Sequence, residues 1–295
     1  MNQEKQTQHY FDTHADDWHL KSIGSSERYN VITARNAAVT KTIDKMPSVN
    51  RFLDVGCGTG QLVIDVAKRG IASKGIDFAP DMIRLCEENR SIAGVEAEFS
   101  CLSFFDFPDE AGRYDVVSAQ GFIEYISPTE TDVFLAKSFS LLRKGGSLVV
   151  GSRNRLFNVM SLNDYTLAEL RLGTIEPLVA EATALQRSVS WNAAIEALAA
   201  HEKIYVQPER HPHTGIEVEV RYQYSPADLI KRGREFGFVP MNIFPVHFHG
   251  LPVSTKDAHP ELHVELANII AQKSSDDFRL VPYCSTFVLD LRKNQ

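Results

Sequence analysis

The chain has 295 residues, 43% of them hydrophobic, with a formal net charge of -7 and no basic run. That is enough apolar material for one large α/β domain with an insertion, and nothing in it prepares a surface for nucleic-acid phosphates or an anionic membrane. The four cysteines, Cys57, Cys86, Cys101 and Cys284, are scattered without C-x-x-C spacing, which argues against zinc and a disulfide framework and for reduced, mostly buried thiols. Met1 to Tyr10 is polar and lacks a signal-peptide apolar region, and no apolar run reaches the length of a membrane span, so a cytoplasmic location is expected. Tyr10 to Ser26 sets Tyr10, Phe11 and Trp18 among polar residues, and Arg28 to Ile43 reads as a helix. Arg51 to Val55 then reads as a strand and runs into Gly56, Gly58 and Gly60, a turn that lets backbone lie against a ligand.

After the turn, Leu62, Val63, Val66 and Ala67 share a helical face, and Gly70 is placed to end that helix. Ala72 to Ile76 is a second strand ending in Asp77 and Phe78, and Ala79-Pro80-Asp81 opens a helix carrying Met82, Ile83, Leu85 and Cys86. Glu96 to Leu102 and Tyr114 to Ala119 read as the third and fourth strands. Ser127-Pro128-Thr129-Glu130 is a capping box with a first-turn proline, starting a helix with Phe134, Leu135, Phe139 and Leu142 on its apolar face. Lys144-Gly145-Gly146 ends it before a fifth strand, Ser147 to Gly151. The long stretch from Arg153 to Tyr224 is expected to form an insertion. Its helices would be Leu162 to Leu172, Glu176 to Ala184 and Trp191 to Ala200. A hairpin would pair Lys203 to Val206 with the alternating run Ile216 to Tyr224. Ser225-Pro226-Ala227-Asp228 starts the next helix, which Gly237 ends. Phe238 to Phe248 is the sixth strand, Pro260 to Lys273 a helical excursion, and Ser285 to Leu291 the last strand.

The order strand, glycine turn, helix, strand, acid narrows the function. A dinucleotide fingerprint spaces its last two glycines three apart, whereas Leu53-Asp54-Val55-Gly56-Cys57-Gly58-Thr59-Gly60 spaces all of them by two and sets an acid two residues ahead. This disfavours a nicotinamide oxidoreductase. In a doubly wound sheet the acid ending the second strand faces the ribose hydroxyls of a nucleoside-type ligand. The segment resembles motif I of class I S-adenosylmethionine-dependent methyltransferases. With the N-terminal Tyr-Phe-Asp run and the closing Cys-Ser-Thr-Phe-Val-Leu strand, the whole pattern is similar to small-molecule O-methyltransferases related to quinone biosynthesis.

The resemblance implies a Rossmann-like seven-stranded doubly wound sheet, its last strand antiparallel, with a helical plus hairpin insertion before the sixth strand. It divides the chain into residues 1–152, an N-terminal helical part with the cofactor-binding core; 153–224, a substrate-side insertion or lid; and 225–295, the rest of the core. It implies S-adenosyl-L-methionine as cofactor, held by Asp54, Gly56, Cys57, Gly58, Gly60, Asp77, Phe78, Met82, Leu102, Ser103, Gln120, Gly121 and Phe122. Asp77 takes the ribose and Phe78 the adenine face, while either Ser103 or a backbone contact takes the adenine amino group, with Asp106 farther along the loop. Tyr10, Phe11 and Trp18 would close the pocket from the N-terminal side, or else pack on the sheet.

Missing signatures prune the acceptor. There is no D-P-P-Y-like tetrapeptide after the fourth strand, no Pro-Cys nucleophile, no glutamate paired with Glu124 and no cysteine cluster for arsenic. A small-molecule acceptor is expected, with no nucleic acid, no membrane span, no metal, and a homodimer through the insertion as one possibility. Methyl transfer to a hydroxyl of a phenol, sugar or natural-product scaffold is the leading reading. N-methylation of a small amine and non-catalytic cofactor binding are the alternatives. A hydroxyl acceptor must lose a proton, and His247 and His249, on one face at the end of the sixth strand, are the first candidates for the base. Glu124 is the other candidate, beside Tyr125, and His211-Pro212-His213 in the expected hairpin turn is a second histidine pair.

Overall fold

The structure is a computed structural model that describes residues 3–16, 18, 20, 30–212, 216–274 and 276–294. Its sheet begins with β1 (Arg51–Val55), which pairs in parallel with β2 (Ala72–Asp77) on one side and β4 (Tyr114–Ala119) on the other. β3 (Glu98–Cys101) adds to β2 and β5 (Leu142–Arg153) to β4, again in parallel. β7 (Cys284–Lys293) inserts antiparallel between β5 and β6 (Phe238–Phe248), giving the order β3-β2-β1-β4-β5-β7-β6. This is the expected sheet, with its last strand antiparallel.

Strand alternation sorts the core onto the two faces of the sheet. Phe52, Val116, Val149 and Val288 go to one face, where they meet Val39 and Ile43 of α2 (Val31–Lys45) and Val63 and Val66 of α3 (Gln61–Ala67). Leu53, Val117, Val150 and Leu289 go to the other, against Phe134 and Leu135 of α5 (Pro128–Leu141) and Leu229 and Ile230 of α10 (Pro226–Glu235). The first helix, α1 (Gln3–Thr13), lies against α4 (Pro80–Ala93). Arg28 and Tyr29, at the expected start of α2, lie outside the described residues. The observed start is set by Asn30, whose side chain accepts from the amides of Ile32 and Thr33 at 3.0 and 3.2 Å.

The insertion is more helical than expected, and its described residues form no hairpin. It contains α6 (Arg155–Ser161), α7 (Asp164–Leu172), α8 (Ile175–Arg187) and α9 (Trp191–Ala199). Lys203 to Val206 and Ile216 to Gln223 carry no strand among the described residues. The alternating run finds other partners: the Tyr222 amide donates to Glu124 O at 2.8 Å, and Tyr224 forms an isolated bridge with Asn154. A buried pair, Arg155 and Glu169 at 2.5 Å, ties α6 to α7. Asn158 links Glu169 to Gln223 at 2.8 and 2.7 Å. After β6 come α11 (Val253–Lys256) and α12 (Pro260–Ser274). Cys57, Cys86 and Cys284 are buried and Cys101 is exposed, all four free. No helix among the described residues is long and apolar enough to cross a membrane.

Candidate active site

A cavity of about 350 Å³ opens at the carboxyl ends of β1, β2 and β4, where an open α/β sheet places its ligands. Gly56, Gly58 and Gly60 all have positive φ, 67°, 54° and 78°, which L side chains adopt only with strain. Their surroundings differ. A Cβ at Gly58 would meet no protein atom within 4 Å, whereas one at Gly60 would stand 2.8 Å from the Phe99 ring. Gly58 is therefore the place where the chain offers bare backbone to a ligand. The amides of Gly56 and Cys57 donate to Ile76 O at 2.9 and 3.0 Å, and the Gly58 amide donates to Asp77 Oδ2 at 3.0 Å. Those amides are spent on the chain itself, and the helix that follows has only seven residues, so the turn acts as a close-approach surface more than as a donor nest.

Two buried acids face this space. Asp77 accepts from the Gly58 and Ala79 amides, each at 3.0 Å, clamping the turn to the start of α4. Burial nevertheless pushes its carboxyl up to about 6. Asp54 is raised further, to about 7, by burial, with the Ser118 hydroxyl pulling it down and Asp77 pushing it up. Its Oδ1 is buried without a partner among the described residues, an unspent acceptor aimed at a donor from a ligand. Gln120 has a similar vacancy: its Nε2 donates to Val149 O at 2.9 Å while its Oε1 is buried without a partner.

The thirteen residues assigned to the cofactor divide by contact. Asp54, Gly56, Cys57, Gly58, Asp77, Phe78, Met82, Leu102, Ser103, Gln120, Gly121 and Phe122 line the cavity. Gly60 lies behind the wall, packed on Phe99 and Cys86. Ser103 caps a short 3-10 turn by accepting from the Phe105 amide at 3.4 Å, and Asp106 is exposed and does not reach the cavity. Of the N-terminal aromatics, Phe11 and Trp18 line the cavity, and Phe11 meets the Tyr125 ring edge-on at 5.3 Å. Tyr10 is buried elsewhere, stacked on His14 at 4.5 Å.

The expected bases sit differently from their sequence reading. His247 and His249 do have neighbouring rings, 4.7 Å apart, but neither lines the cavity. His247 has a φ of 61°, and its Nδ1 lies 2.8 Å from the Ser285 hydroxyl. His249 stacks on Phe157 at 4.5 Å with both ring nitrogens buried and unpartnered among the described residues. Burial, reinforced by Lys256, His263 and Arg153, drives His249 down to about 3, and burial drives His247 well down too. Such rings are poor proton acceptors. Glu124 does line the cavity, but its carboxylate is committed: Arg221 Nε and Nη2 donate to Oε2 at 2.9 and 2.5 Å, and Arg35 Nη2 stands 3.5 Å from Oε1. Those guanidiniums hold it below its ordinary range despite burial, so it serves as a fixed anion. His211 packs edge-on against Tyr222 at 5.2 Å, and His213 lies outside the described residues.

Sequence reasoning missed Arg35 and Arg221, both in the cavity wall. No motif marks either. Arg35 lies on α2 and Arg221 in the run expected to be a hairpin. Among the described residues, no group of three or more His, Cys, Asp or Glu is placed to hold a metal ion.

Comparison with known proteins agrees with this geometry. The family described as a methyltransferase domain matches residues 52–146. A ubiquinone biosynthesis O-methyltransferase of Xanthomonas axonopodis pv. citri is 33% identical over 110 residues, 37% of this chain and 45% of the relative. The enzyme of the same name from Azorhizobium caulinodans is 29% identical over 128 residues, 42% and 50% of the two chains. The chain thus spans about half the length of the relatives it matches. Among solved structures, magnesium protoporphyrin IX methyltransferase from Synechocystis PCC 6803 with bound SAH superposes with a TM-score of 0.57 at 13% identity, covering 99% of this chain and 100% of that one. The 4+2 cyclase SpnF gives 0.57 at 17%, covering 98% and 95%. At these identities the structures speak to the fold alone. Residues 52–146 thus resemble a methyltransferase domain, and it is in this matched core that the acid-flanked glycine turn opens onto the cavity.

Proposed function

We infer that the chain transfers a methyl group from S-adenosyl-L-methionine to a hydroxyl of a small molecule. The observation that carries the cofactor half of this reading is the open backbone at Gly58 between two buried acids, Asp54 and Asp77, in a cavity of about 350 Å³. The residues fit the group: Asp77 has lone pairs left to accept two ribose hydroxyls, and Asp54 Oδ1 can accept from the cofactor's ammonium. Arg35, whose guanidinium lies against Gly121 in the same wall, suits its carboxylate. When bound, S-adenosylmethionine supplies a methyl group made electrophilic by its sulfonium. The chain's own contribution is alignment: Phe122 and Gly121 form the floor beside the turn, Phe11 and Trp18 exclude water, and from residues 153–224 Arg221 reaches the wall.

The hydroxyl half rests on the printed names of the relatives, which are O-methyltransferases. Calorimetric titration with S-adenosylhomocysteine tests the cofactor, and a nicotinamide dinucleotide serves as the control ligand. Incubation with methyl-labelled cofactor and cell extract, followed by mass spectrometry of the labelled product, tests the acceptor atom. Label on oxygen of a small molecule supports the reading. Label on nitrogen replaces it with amine methylation, and cofactor binding without any labelled product leaves a non-catalytic binder.

A further inference from the structure

Two of the four cysteines meet behind the glycine turn. Cys57 belongs to the turn and lines the cavity, Cys86 is a buried residue of α4, and their sulfurs are 3.9 Å apart. Both side chains are buried and both thiols are free. Two glycines leave the room that the sulfurs fill: a Cβ at Gly75 would stand 2.8 Å from the Cys57 sulfur, and one at Gly60 would stand 3.0 Å from the Cys86 sulfur. The Cys86 thiol also donates to Gly58 O at 3.0 Å, so it holds from behind the residue whose bare backbone faces the cavity. A buried cysteine ordinarily serves as a small apolar filler. Two thiols in contact, one on a cavity wall and the other bonded to the turn, have a chemistry that fillers lack.

We propose that Cys57 and Cys86 are a modification site, a dithiol that closes to a reversible disulfide and thereby weakens cofactor binding at the turn. The oxidant is a small organic disulfide that enters the cavity. Cys57 gives up its proton, and its thiolate attacks one sulfur of the oxidant and expels the other as a thiolate. The Cys86 thiolate then attacks the Cys57 sulfur of the mixed disulfide and expels the second small thiolate. Two protein thiols and one small disulfide thus become one protein disulfide and two small thiols, which carry away the two electrons and the two protons. Bonding draws the sulfurs from 3.9 Å to about 2.05 Å and consumes the S–H that donates to Gly58 O. The turn is pulled toward α4, and the Gly58 carbonyl loses its donor at the point of closest ligand approach. The Cys86 contact, burial and the charges of Asp77 and Asp54 all raise the Cys57 thiol, so the exchange is slow near neutral pH and quickens as pH rises. The cofactor half of this inference rests on the methyltransferase reading, and the disulfide itself does not. The two are linked: whatever factor the disulfide removes from cofactor affinity, bound cofactor removes from the stability of the disulfide.

The test equilibrates the full chain at alkaline pH in buffers of mercaptoethanol and its disulfide, alkylates it in denaturant and maps linked peptides by mass spectrometry. A peptide linking Cys57 to Cys86 is expected, lost again in excess thiol. Calorimetric titration with S-adenosylhomocysteine is expected to give the oxidised protein about tenfold or more weaker affinity than the reduced protein. By linkage, saturating S-adenosylhomocysteine should then shift the midpoint of the pair by about 30 mV or more toward oxidising potentials, the same tenfold in a two-electron couple. Cys86→Ser keeps a donor for Gly58 O but has no sulfur to bond, so its affinity is expected to be the same in reducing and oxidising buffer. Should that variant fail to fold, Cys86→Ala carries the same expectation. Cys101→Ser, at an exposed thiol outside the cavity wall, is expected to switch as the wild type does. Recovery of Cys57 and Cys86 as alkylated thiols from the most oxidising buffer would overturn the proposal, as would a linked pair whose S-adenosylhomocysteine affinity is unchanged. A loss of affinity that persists in the Cys86 variants would overturn it too, by assigning the effect to a mixed disulfide on Cys57 alone. Failure of the reduced wild type to bind S-adenosylhomocysteine counts against the methyltransferase reading instead, and the peptide map then decides the disulfide on its own.

Discussion

Both oxygens of Asp77 already accept backbone hydrogen bonds, so the side chain shapes the turn and faces the ligand at once. Asp77→Ala removes a charge-assisted acceptor from the cofactor's ribose and is expected to cost about 1.5 to 3 kcal/mol of S-adenosylhomocysteine affinity, roughly ten- to hundredfold, with the fold intact by circular dichroism. Wild-type affinity in a calorimetric titration would sink the assignment. The glycines make a sharper contrast. Gly58→Ala and Gly60→Ala carry a similar left-handed backbone cost, about 1 kcal/mol each, but their new methyl groups go to different places. At Gly58 the methyl enters the cavity, and at Gly60 it meets the Phe99 ring and the Cys86 sulfur. Gly58→Ala should therefore lose mainly ligand affinity, and Gly60→Ala mainly stability, by about 2 kcal/mol or more. Melting curves and titrations of the two variants side by side check this, and indistinguishable behaviour refutes it. The turn and its two acids were legible in the sequence because they fall within one strand-helix-strand unit, where spacing along the chain fixes spacing in space. Gly60 read as a contact residue only because the spacing of a motif does not say which glycine faces outward.

Among the elements, those announced by local chemistry were the readable ones. The capping box that opens α5 is present as written: Ser127 Oγ accepts from the Glu130 amide at 3.2 Å, and Glu130 Oε2 accepts from the Ser127 amide at 2.7 Å. The hairpin was misread because alternation reports only that one side of a segment is buried, and Tyr222 and Tyr224 bury theirs against the core edge instead of against a partner strand. A second feature had no local signal at all. Glu181, in the middle of α8, is fully buried and accepts from the Ala227 amide at 2.8 Å, so it caps the start of α10 from the insertion. Burial raises its carboxyl to about 8, so it is largely protonated in the folded chain near neutral pH. The stability it contributes is complete below the unfolded value near 4 and is lost as pH rises through about 8. Glu181→Gln keeps the acceptor oxygen without the titration. It should match the wild type at about pH 4, begin to exceed it as pH rises above that, and exceed it most at about pH 9 in urea denaturation. A wild type that is the more stable of the two at the higher pH would contradict the burial argument.

For the molecule as a whole, two buried clusters impose opposite pH dependences. Asp54 and Asp77 have raised carboxyls, so their contribution is present below about 4 and lost as pH rises through about 6 to 7. His247 and His249 have depressed imidazoles, so theirs is present above the unfolded value near 6.5 and lost as pH falls toward about 3. Between about pH 4 and 6.5 the two oppose each other. Replacing both acids, Asp54→Asn with Asp77→Asn, should turn the slope of stability against pH more positive across that window, and replacing both histidines by alanine should turn it more negative. Denaturation midpoints of the two double variants across the range test the pair of signs. The arginine pair was beyond sequence reading for a whole-molecule reason: Arg35 and Arg221 come from α2 and a coil, and only the closed fold sets them on Glu124. The strand order has a further consequence, for the order of assembly. β6 hydrogen-bonds to the sheet only through β7, which follows it in the chain. As the chain leaves the ribosome, Phe238–Phe248 is made before the strand it pairs with, and the open edge of β5 waits for Cys284–Lys293 to emerge. A nascent chain paused at Tyr283 thus carries an unpaired strand edge beside an undocked apolar ribbon, the kind of exposure that chaperones bind and that seeds aggregation.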